Sequence, residues 1–583
     1  MSSSNCNVEP LQKSWKDPSK HELRRDHSAS NVGWMSGKNK FVKRESSLSE
    51  KQGASWLRRM SGFLQKRLSS PGYNHSYASP SSSVAVSEAL KNIPEGDFIR
   101  RYINGERRGT QPEVICSPQG TGLPSVEIGK LSVKIIAADT GPGPGVTAVG
   151  LKSRNLSTHE NDLEFIDGCD SDDEVFVDAH SSLGRNCEEV VVEKEKVTKP
   201  AIPIAGVSNW ALPAPFACGI SVTLYESNPY TGEHAGDPIA DAYAVVAREN
   251  SALLALGDGV NWGEKASLAS KCAVHGCIDY LNRAFYAFDN PTVTTSDVFR
   301  GLLRSFYAAH DLILMEGGML TTLTVAMVLP TTNSDEYVVC SCNVGDSLAY
   351  VYSPSHGVRE LTEGSHDVNA MRDMRDALGA LGPVNGTTPE LGNLTCAMTI
   401  VKKGDIVFIT SDGVSDNFDP VVGKFAVART VSKKDKNDLE KRKSTVGRHG
   451  HLEGDGDSTL PVLDAINRYE LTLLRMDDIL KHGLSSAEPG DKLSDGSPSA
   501  QMLCRNFIDF SRGLTCARRR ILEDPDLYPA PVENGGQNEV CHQEQRLRRR
   551  KVGEKLGQVP GKLDHASVVA YCVGYSPQDQ DSQ

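Results

Sequence analysis

Residues 407–418 read VFITSDGVSDNF. Val, Phe, Ile and Thr form strands readily, and an unbroken run of them suits a strand buried in a sheet. The run ends on Asp412 backed by Gly413, and further carboxylates follow directly. Taken singly, an Asp-Gly at a strand end is a turn, because Asp bonds its own backbone and Gly accepts positive φ. The arrangement recurs, however: Asp258 ends SALLALGDG (251–259), Asp241 opens DAYAVVA (241–247) and Asp564 precedes HASVVAY (565–571). Bare carboxylates gathered from such distant segments repel one another unless cations sit between them. Hard divalent ions such as Mg²⁺ and Mn²⁺ take carboxylate, backbone carbonyl and water oxygens, so these aspartates are candidate metal ligands.

Around these strands the 583-residue chain is uneven. Residues 1–85 are rich in Ser, Lys, Arg and Asn with few branched apolar side chains, a composition that cannot offset chain entropy by burial. We expect a disordered basic tail there, and a mostly disordered linker over 86–201 with an acidic block at 158–178. Within the tail, SWLRRMSGFLQKRLSSPG places Leu57, Met60, Leu64 and Leu68 on one helical face among basic residues, which suits weak contact with an acidic membrane surface through 55–68 or with a partner groove. Arg-Arg-Met-Ser61 nearby has the look of a site for a basophilic kinase. The net charge of −12 argues against general nucleic-acid binding. The fourteen cysteines show no repeated paired spacing, the start MSSSNCNVEP has no apolar signal core, and no run approaches membrane-spanning length; a reduced protein of the cytoplasm or nucleus is expected. Cys340 and Cys342 in VVCSCNVG have ligand-like spacing but no second pair, and read as core residues.

From about residue 202 short strand-like runs follow one another, with a helical pair between the third and fourth: KASLASKCAVHGCIDYLNRAFYAF, and SDVFRGLLRSFYAAH opening on a Ser-Asp cap. Grouped strands around a helical pair predict an α+β domain with helices outside antiparallel sheets. After Asp412 comes a detour at about 430–560, with a charged loop (432–458), a helix over LPVLDAINRYELTLLRMDDILKHG and another over AQMLCRNFIDFSRGLTCARRRIL. The basic run QEQRLRRRKVGEKLG before Asp564 reads as a solvated loop.

GDG (257–259), GGMLTTLTVAMV (317–328), NVGDSLAYV (343–351), GDIVFITSDGVSD (404–416) and LDHASVVAY (563–571), in this order and spacing, resemble the metal-dependent protein phosphatases, the type 2C serine/threonine phosphatases, over roughly residues 202–575. The resemblance implies a four-layer α-β-β-α sandwich, two central antiparallel sheets and two Mg²⁺ or Mn²⁺ ions at one sheet edge. It makes Asp258 the bridge between the ions, the Gly259 carbonyl a ligand of the second, Asp412 and Asp564 ligands of the first, Asp241 an acidic position reaching the metals through water, and Asp346 a holder of a third, weaker ion. It also implies a domain over 202–577 interrupted by the detour, a metal-activated water attacking phosphoserine or phosphothreonine, and a phosphoprotein substrate or signalling partner.

The sequence departs from that pattern at the substrate. Val260 stands where the family has the histidine that protonates the leaving alkoxide, Gly236 and Asp237 stand near the place of a phosphate-binding arginine, Leu348 replaces another arginine, and His565 replaces an asparagine. His565 is a candidate substitute acid, although its place beside Asp564 on a strand points it to the other face. Two functions remain open: a phosphatase with an altered, slow site, or a catalytically impaired scaffold acting through protein binding. No Gly-x-Ser-x-Gly elbow or Cys-x₅-Arg loop supports a Ser or Cys nucleophile. The detour, lying between two metal aspartates, is expected at the rim of the site as a lid or docking element.

Overall fold

The apolar runs become strands covered on both faces, which is why they read as continuous rather than alternating. A computed structural model describes residues 98–118, 122–149, 203–287, 293–332, 336–370, 377–429, 460–482, 493, 498–528, 550 and 552–575. The tail with residues 55–68, the acidic block and the charged loop at 432–458 lie outside the described residues.

The larger sheet has eight antiparallel strands: β1 (Ile115–Pro118), β2 (Ile135–Gly141), β3 (Ala211–Leu212), β5 (Ala242–Arg248), β6 (Ser251–Gly257), β7 (Leu323–Pro330), β8 (Glu336–Val344) and β13 (Thr395–Lys402), in the order β1-β13-β8-β7-β6-β5-β2-β3. The smaller has five, β4 (Ala217–Thr223), β9 (Leu348–Ser353), β10 (Gly357–Glu360), β14 (Ile406–Thr410) and β17 (His565–Cys572), ordered β10-β9-β14-β17-β4. Two small pairs, β11 (Ala380–Asn385) with β12 (Thr388–Glu390) and β15 (Val427–Ala428) with β16 (Val462–Leu463), lie outside them. Every residue of β5, β6, β14 and β17 is buried, because each sheet is packed against the other on one face and against helices on the other.

Helices α2 (Glu264–Tyr286) and α3 (Thr295–Glu316) cover the larger sheet. The cap of α3 is Thr294 rather than the expected Ser-Asp: its side chain accepts from Asp297 N while the Asp297 carboxylate accepts from Thr294 N at 2.9 Å, a reciprocal box that starts the helix at Thr295. On the smaller sheet, α5 (Ala465–His482) packs on β10 and α6 (Ala500–Leu522) on β17 and β4. Phe507 of α6 lies with its ring centroid 5.5 Å from Phe408 on β14 and 4.6 Å from Phe418. The architecture is therefore α+β, a four-layer α-β-β-α sandwich around two antiparallel sheets.

Two expectations about organisation need correction. The span 86–201 is not all linker: β1 and β2 are strands of the larger sheet, and a helix α1 (Phe98–Ile103) docks Phe98, Ile99 and Tyr102 against Leu463, Leu471 and Leu474, with Arg108 chelating the Glu470 carboxylate at 2.8 and 3.0 Å. The helices of the detour are not a rim appendage either, because α5 and α6 form the outer layer of the smaller sheet. In α5 the buried stripe is Leu471, Leu473, Leu474, Met476, Ile479 and Leu480, while Leu463 belongs to β16 and Ile466 is exposed. Cys340 and Cys342 are fully buried core residues, and all ten described cysteines are free thiols.

Candidate metal centre

Strand register brings the distant aspartates to one edge. In the larger sheet Ala242 pairs with Gly257, Leu256 with Thr324 and Leu323 with Val344, so Asp241, Asp258 and the turn after β8 share one end. In the smaller sheet Thr410 lies between Val568 and Leu348, so Asp412, Asp564 and the residues before β9 share an end as well. Asp346 sits in the β8–β9 turn, where the chain crosses from one sheet to the other.

Asp412 is not a turn residue. It opens a short helix, α4 (Asp412–Phe418), and Asp416 follows one helical turn later on the same face. Gly413 is in helical conformation and needs no positive φ; it is glycine because an added Cβ would collide with the His565 carbonyl, landing 2.8 Å from its carbon and 3.1 Å from the Asp564 Cβ. Gly259 likewise allows close approach, since a Cβ there would stand 2.5 Å from the Ala266 carbonyl oxygen and 2.8 Å from that of Ala240. Ser411 N donates to Ser567 O at 3.0 Å while its hydroxyl accepts from Ser567 N at 2.9 Å, locking the end of β14 to β17. The Asp258 backbone is held by Thr322, whose N donates to Asp258 O at 2.8 Å and whose hydroxyl accepts from Asp258 N at 3.0 Å.

The electrostatics follow from this crowding. Burial holds the Asp258 carboxyl well above the usual carboxylate range, and the neighbouring charges of Asp241, Asp412, Asp564 and Asp346 push it further. Asp412 is raised by burial, Asp564 and Asp346, against the pull of Lys562. Asp241 is fully buried and no hydrogen bond of normal geometry reaches either carboxylate oxygen; burial raises it, eased by the His565 ring and the hydroxyls of Ser567 and Ser411. Tyr225 donates its hydroxyl to Asp564 at 3.1 Å and accepts from the indole of the exposed Trp262 at 2.9 Å. Burial and the Asp564 charge push that phenol far up, so it stays protonated near neutrality.

Two site residues were not anticipated, Lys562 and Asp416. The Lys562 ammonium bonds Asp412, and lies 3.0 Å from both Asp416 and Asp564. Its backbone is clamped by Asn417, which accepts from Lys562 N at 2.8 Å and donates to Lys562 O at 3.0 Å. Sequence held a faint signal, a lysine two residues before the last aspartate and a carboxylate four after Asp412. Asp419, by contrast, is structural: Arg468 and the Val421 and Val422 N–H groups occupy it.

Where the sequence departs from the phosphatase pattern, the side chains are turned to other uses. His565 is buried, its Nδ1 accepts from Ala240 N at 3.3 Å and its Nε2 therefore donates to Gly236 O at 2.9 Å, so both nitrogens are spent on backbone and the ring serves as a brace. Leu348 is buried at the start of β9. Val260 sits in a tight loop with Asn261 at φ 68°, its N–H donating to Leu320 O at 2.9 Å.

The donor chemistry fits hard divalent ions: oxygens alone, from Asp241, Asp258, Asp346, Asp412, Asp416 and Asp564, carrying more negative charge than the single Lys562 ammonium balances. Among the described residues, however, no three acidic, histidine or cysteine side chains converge as a ready-made ligand set. Lys562 stands among three of these carboxylates, those of Asp412, Asp416 and Asp564. No described helix is long and apolar enough to cross a membrane.

A protein phosphatase 2C family model matches residues 230–441. The PP2C-like domain-containing protein CG9801 of Drosophila melanogaster is 40% identical over 552 residues, covering 82% of this chain and 75% of that protein. Among solved structures, the serine/threonine phosphatase of S. agalactiae aligns at 15% identity over 45% of this chain and 93% of that one, with a TM-score of 0.25. The catalytic domain of the phosphatase PstP in complex with two manganese ions aligns at 16% over 44% and 91%, with a TM-score of 0.23. At such scores the fold rests on the strand order and layers described above.

Proposed function

This chain belongs to the protein phosphatase 2C-like family, and from that premise we propose that it hydrolyses phosphoserine or phosphothreonine in proteins with the help of Mg²⁺ or Mn²⁺, from a site weakened toward poor leaving groups. The observation that carries the reading is Asp241: a fully buried carboxylate beside Asp258, raised by burial despite the His565 ring and the hydroxyls of Ser567 and Ser411, is costly to a fold that never brings in a further counter-charge.

In this reading Asp258 and the Gly259 carbonyl, with Asp412 and Asp564, would hold two ions; Asp241 would act through water and Asp346 would serve a third, weaker position. Divalent ions held there would lower the pKa of a bound water and so make hydroxide more available near neutral pH. The chain's own residues do the rest. The α4 helix and the β17 start fix the two carboxylates of the smaller sheet; Thr322 fixes Asp258. Nothing at Val260 donates a proton to a departing alkoxide, and His565 is committed elsewhere. The missing acid costs roughly 10²- to 10⁴-fold on a serine or threonine ester and less on an aryl phosphate, whose leaving group needs no proton.

The second reading, a scaffold that signals by binding, is favoured by the same Val260 and by the Lys562 ammonium among the acids. With Mn²⁺ present, wild-type protein is expected to hydrolyse an aryl phosphate above an Asp412→Asn control, and a phosphothreonine peptide far more slowly. No hydrolysis above that control, with calorimetric Mn²⁺ binding intact, would reject the enzyme in favour of the scaffold. The free thiols suit a reducing compartment such as cytosol or nucleus.

A further inference from the structure

The least expected feature of the site is a cation supplied by the chain itself. Lys562 reaches three carboxylates that come from two elements, Asp412 and Asp416 on α4 and Asp564 before β17. An ammonium is a compact, strongly hydrated point charge with three donors; here it bonds the carboxylates of Asp412 and Asp416 and pairs with that of Asp564. The contact is built rather than incidental. Asn417, on the same helix, binds both backbone groups of Lys562, and Gly561 N donates to Val422 O at 3.0 Å, so the residue is delivered to this place from both sides.

We infer that Lys562 is a tethered counter-ion occupying the Asp412, Asp416 and Asp564 carboxylates in place of a divalent ion, and that metal loads only when its side chain swings away. The inference rests on the reading of these aspartates as metal ligands. Two of the three oxygen sources for a first ion are engaged by the ammonium, and a divalent cation brought beside it meets like-charge repulsion. The exit exists, because the side chain is 23% exposed and its four-carbon stem rotates while Asn417 keeps the backbone in place. Asp416 gains a role from this geometry. Being one turn beyond Asp412 and nearly fully buried, it anchors the ammonium in the closed state and adds an oxygen to the cluster when the lysine leaves. The protein thus carries a built-in brake on metal loading, with part of the cluster's charge offset by its own ammonium and the site switched toward hydrolysis by divalent ion concentration.

The test is Mn²⁺ titration of the full chain by calorimetry at fixed pH and ionic strength, comparing wild type with Lys562→Met, which keeps the apolar stem and removes the charge, and Lys562→Arg, which keeps the charge. The Met variant is expected to bind Mn²⁺ at least about ten-fold tighter than wild type, with Arg at or below wild type. In thermal melts without metal, Lys562→Met is expected to unfold below wild type and to gain more than wild type when Mn²⁺ is added. Equal, saturable binding by wild type and Met would overturn the brake while leaving the metal reading intact. No binding by either would overturn both, since removing the ammonium then opens nothing. If Lys562→Met does not fold, Lys562→Gln, neutral but still able to donate to one carboxylate, takes its place with the same expectations.

Discussion

Gly413→Ala is the smallest change that probes how the two sheets bring their carboxylates together. The added methyl meets no flexible side chain that can yield; it is driven into the His565 backbone carbonyl, 2.8 Å from the carbonyl carbon, with the Asp564 Cβ 3.1 Å away. Helix α4 and the start of β17 have to part by about 1 Å to restore van der Waals distance in an interior packed at crystal density. Overpacking of this kind costs about 1–3 kcal/mol, and the upper end is expected because both partners are backbone. The displacement also separates Asp412 on α4 from Asp564 on the β17 side, the pair bridged by Lys562. A shift of 1 Å in a catalytic constellation can cost about 10²-fold in rate. Urea unfolding read by far-UV circular dichroism gives the stability change, and Mn²⁺ calorimetry with aryl phosphate turnover gives the functional one. An alanine variant within about 0.5 kcal/mol of wild type, the spread of ordinary surface changes, with unaltered Mn²⁺ affinity, would refute the close approach of α4 to β17 and with it the positioning of the first pair of ligands.

Three other outcomes follow from the structure. Val260→His restores an imidazole beside Asp258 and is expected to raise turnover of a phosphothreonine peptide by about ten-fold or more while changing aryl phosphate turnover little; equal effects on both substrates would exclude a proton-donor deficit. Phe507→Ala removes the ring that joins Phe408 to Phe418 under α6 and is expected to cost about 3–5 kcal/mol in urea unfolding, whereas a cost under about 1 kcal/mol would mean that α6 is not part of the core. Buried Glu360 is opposed by desolvation but held below the ordinary glutamate value of 4.5 by His366, Thr362 and Tyr469, so the ionised carboxylate stabilises the fold above that value and the contribution is lost as pH falls through the depressed one. The stability gap between wild type and Glu360→Gln should therefore be open at pH 6 and close on acidification below about 4.5; a gap that stays constant down to pH 3 would contradict the pairing.

The strands that carry the site were legible because they are extreme. LLALG and VFIT are apolar without a break, which suits a strand covered on both faces, and the Asp at each end marks where the sheet edge meets polar ligands. Strands β1 and β2 escaped notice because ICSP and IIAADTG are short and weakly patterned, and what makes them strands lies far away, in β13 and β5. Helix α6 was visible from its spacing, but its place as an outer layer depends on Phe507 meeting Phe408 and Phe418, contacts no local pattern records. The glycine after Asp412 answers to a neighbouring carbonyl, not to a left-handed turn, and that carbonyl lies far off in sequence. Lys562 lay hidden for the same reason. A basic residue just before a strand is unremarkable until Asn417 fixes its backbone and three carboxylates, 146 to 150 residues away in two cases, close around its side chain.

The central claim is that these aspartates gather to hold divalent ions. It is tested most directly by anomalous diffraction at the manganese edge from crystals grown with saturating Mn²⁺. The account predicts two manganese peaks with Asp258 between them, Asp412 and Asp564 on one, and the Lys562 ammonium moved off those carboxylates. Crystals that show no manganese at this edge, with Lys562 still bonded to Asp412, Asp416 and Asp564, would contradict it.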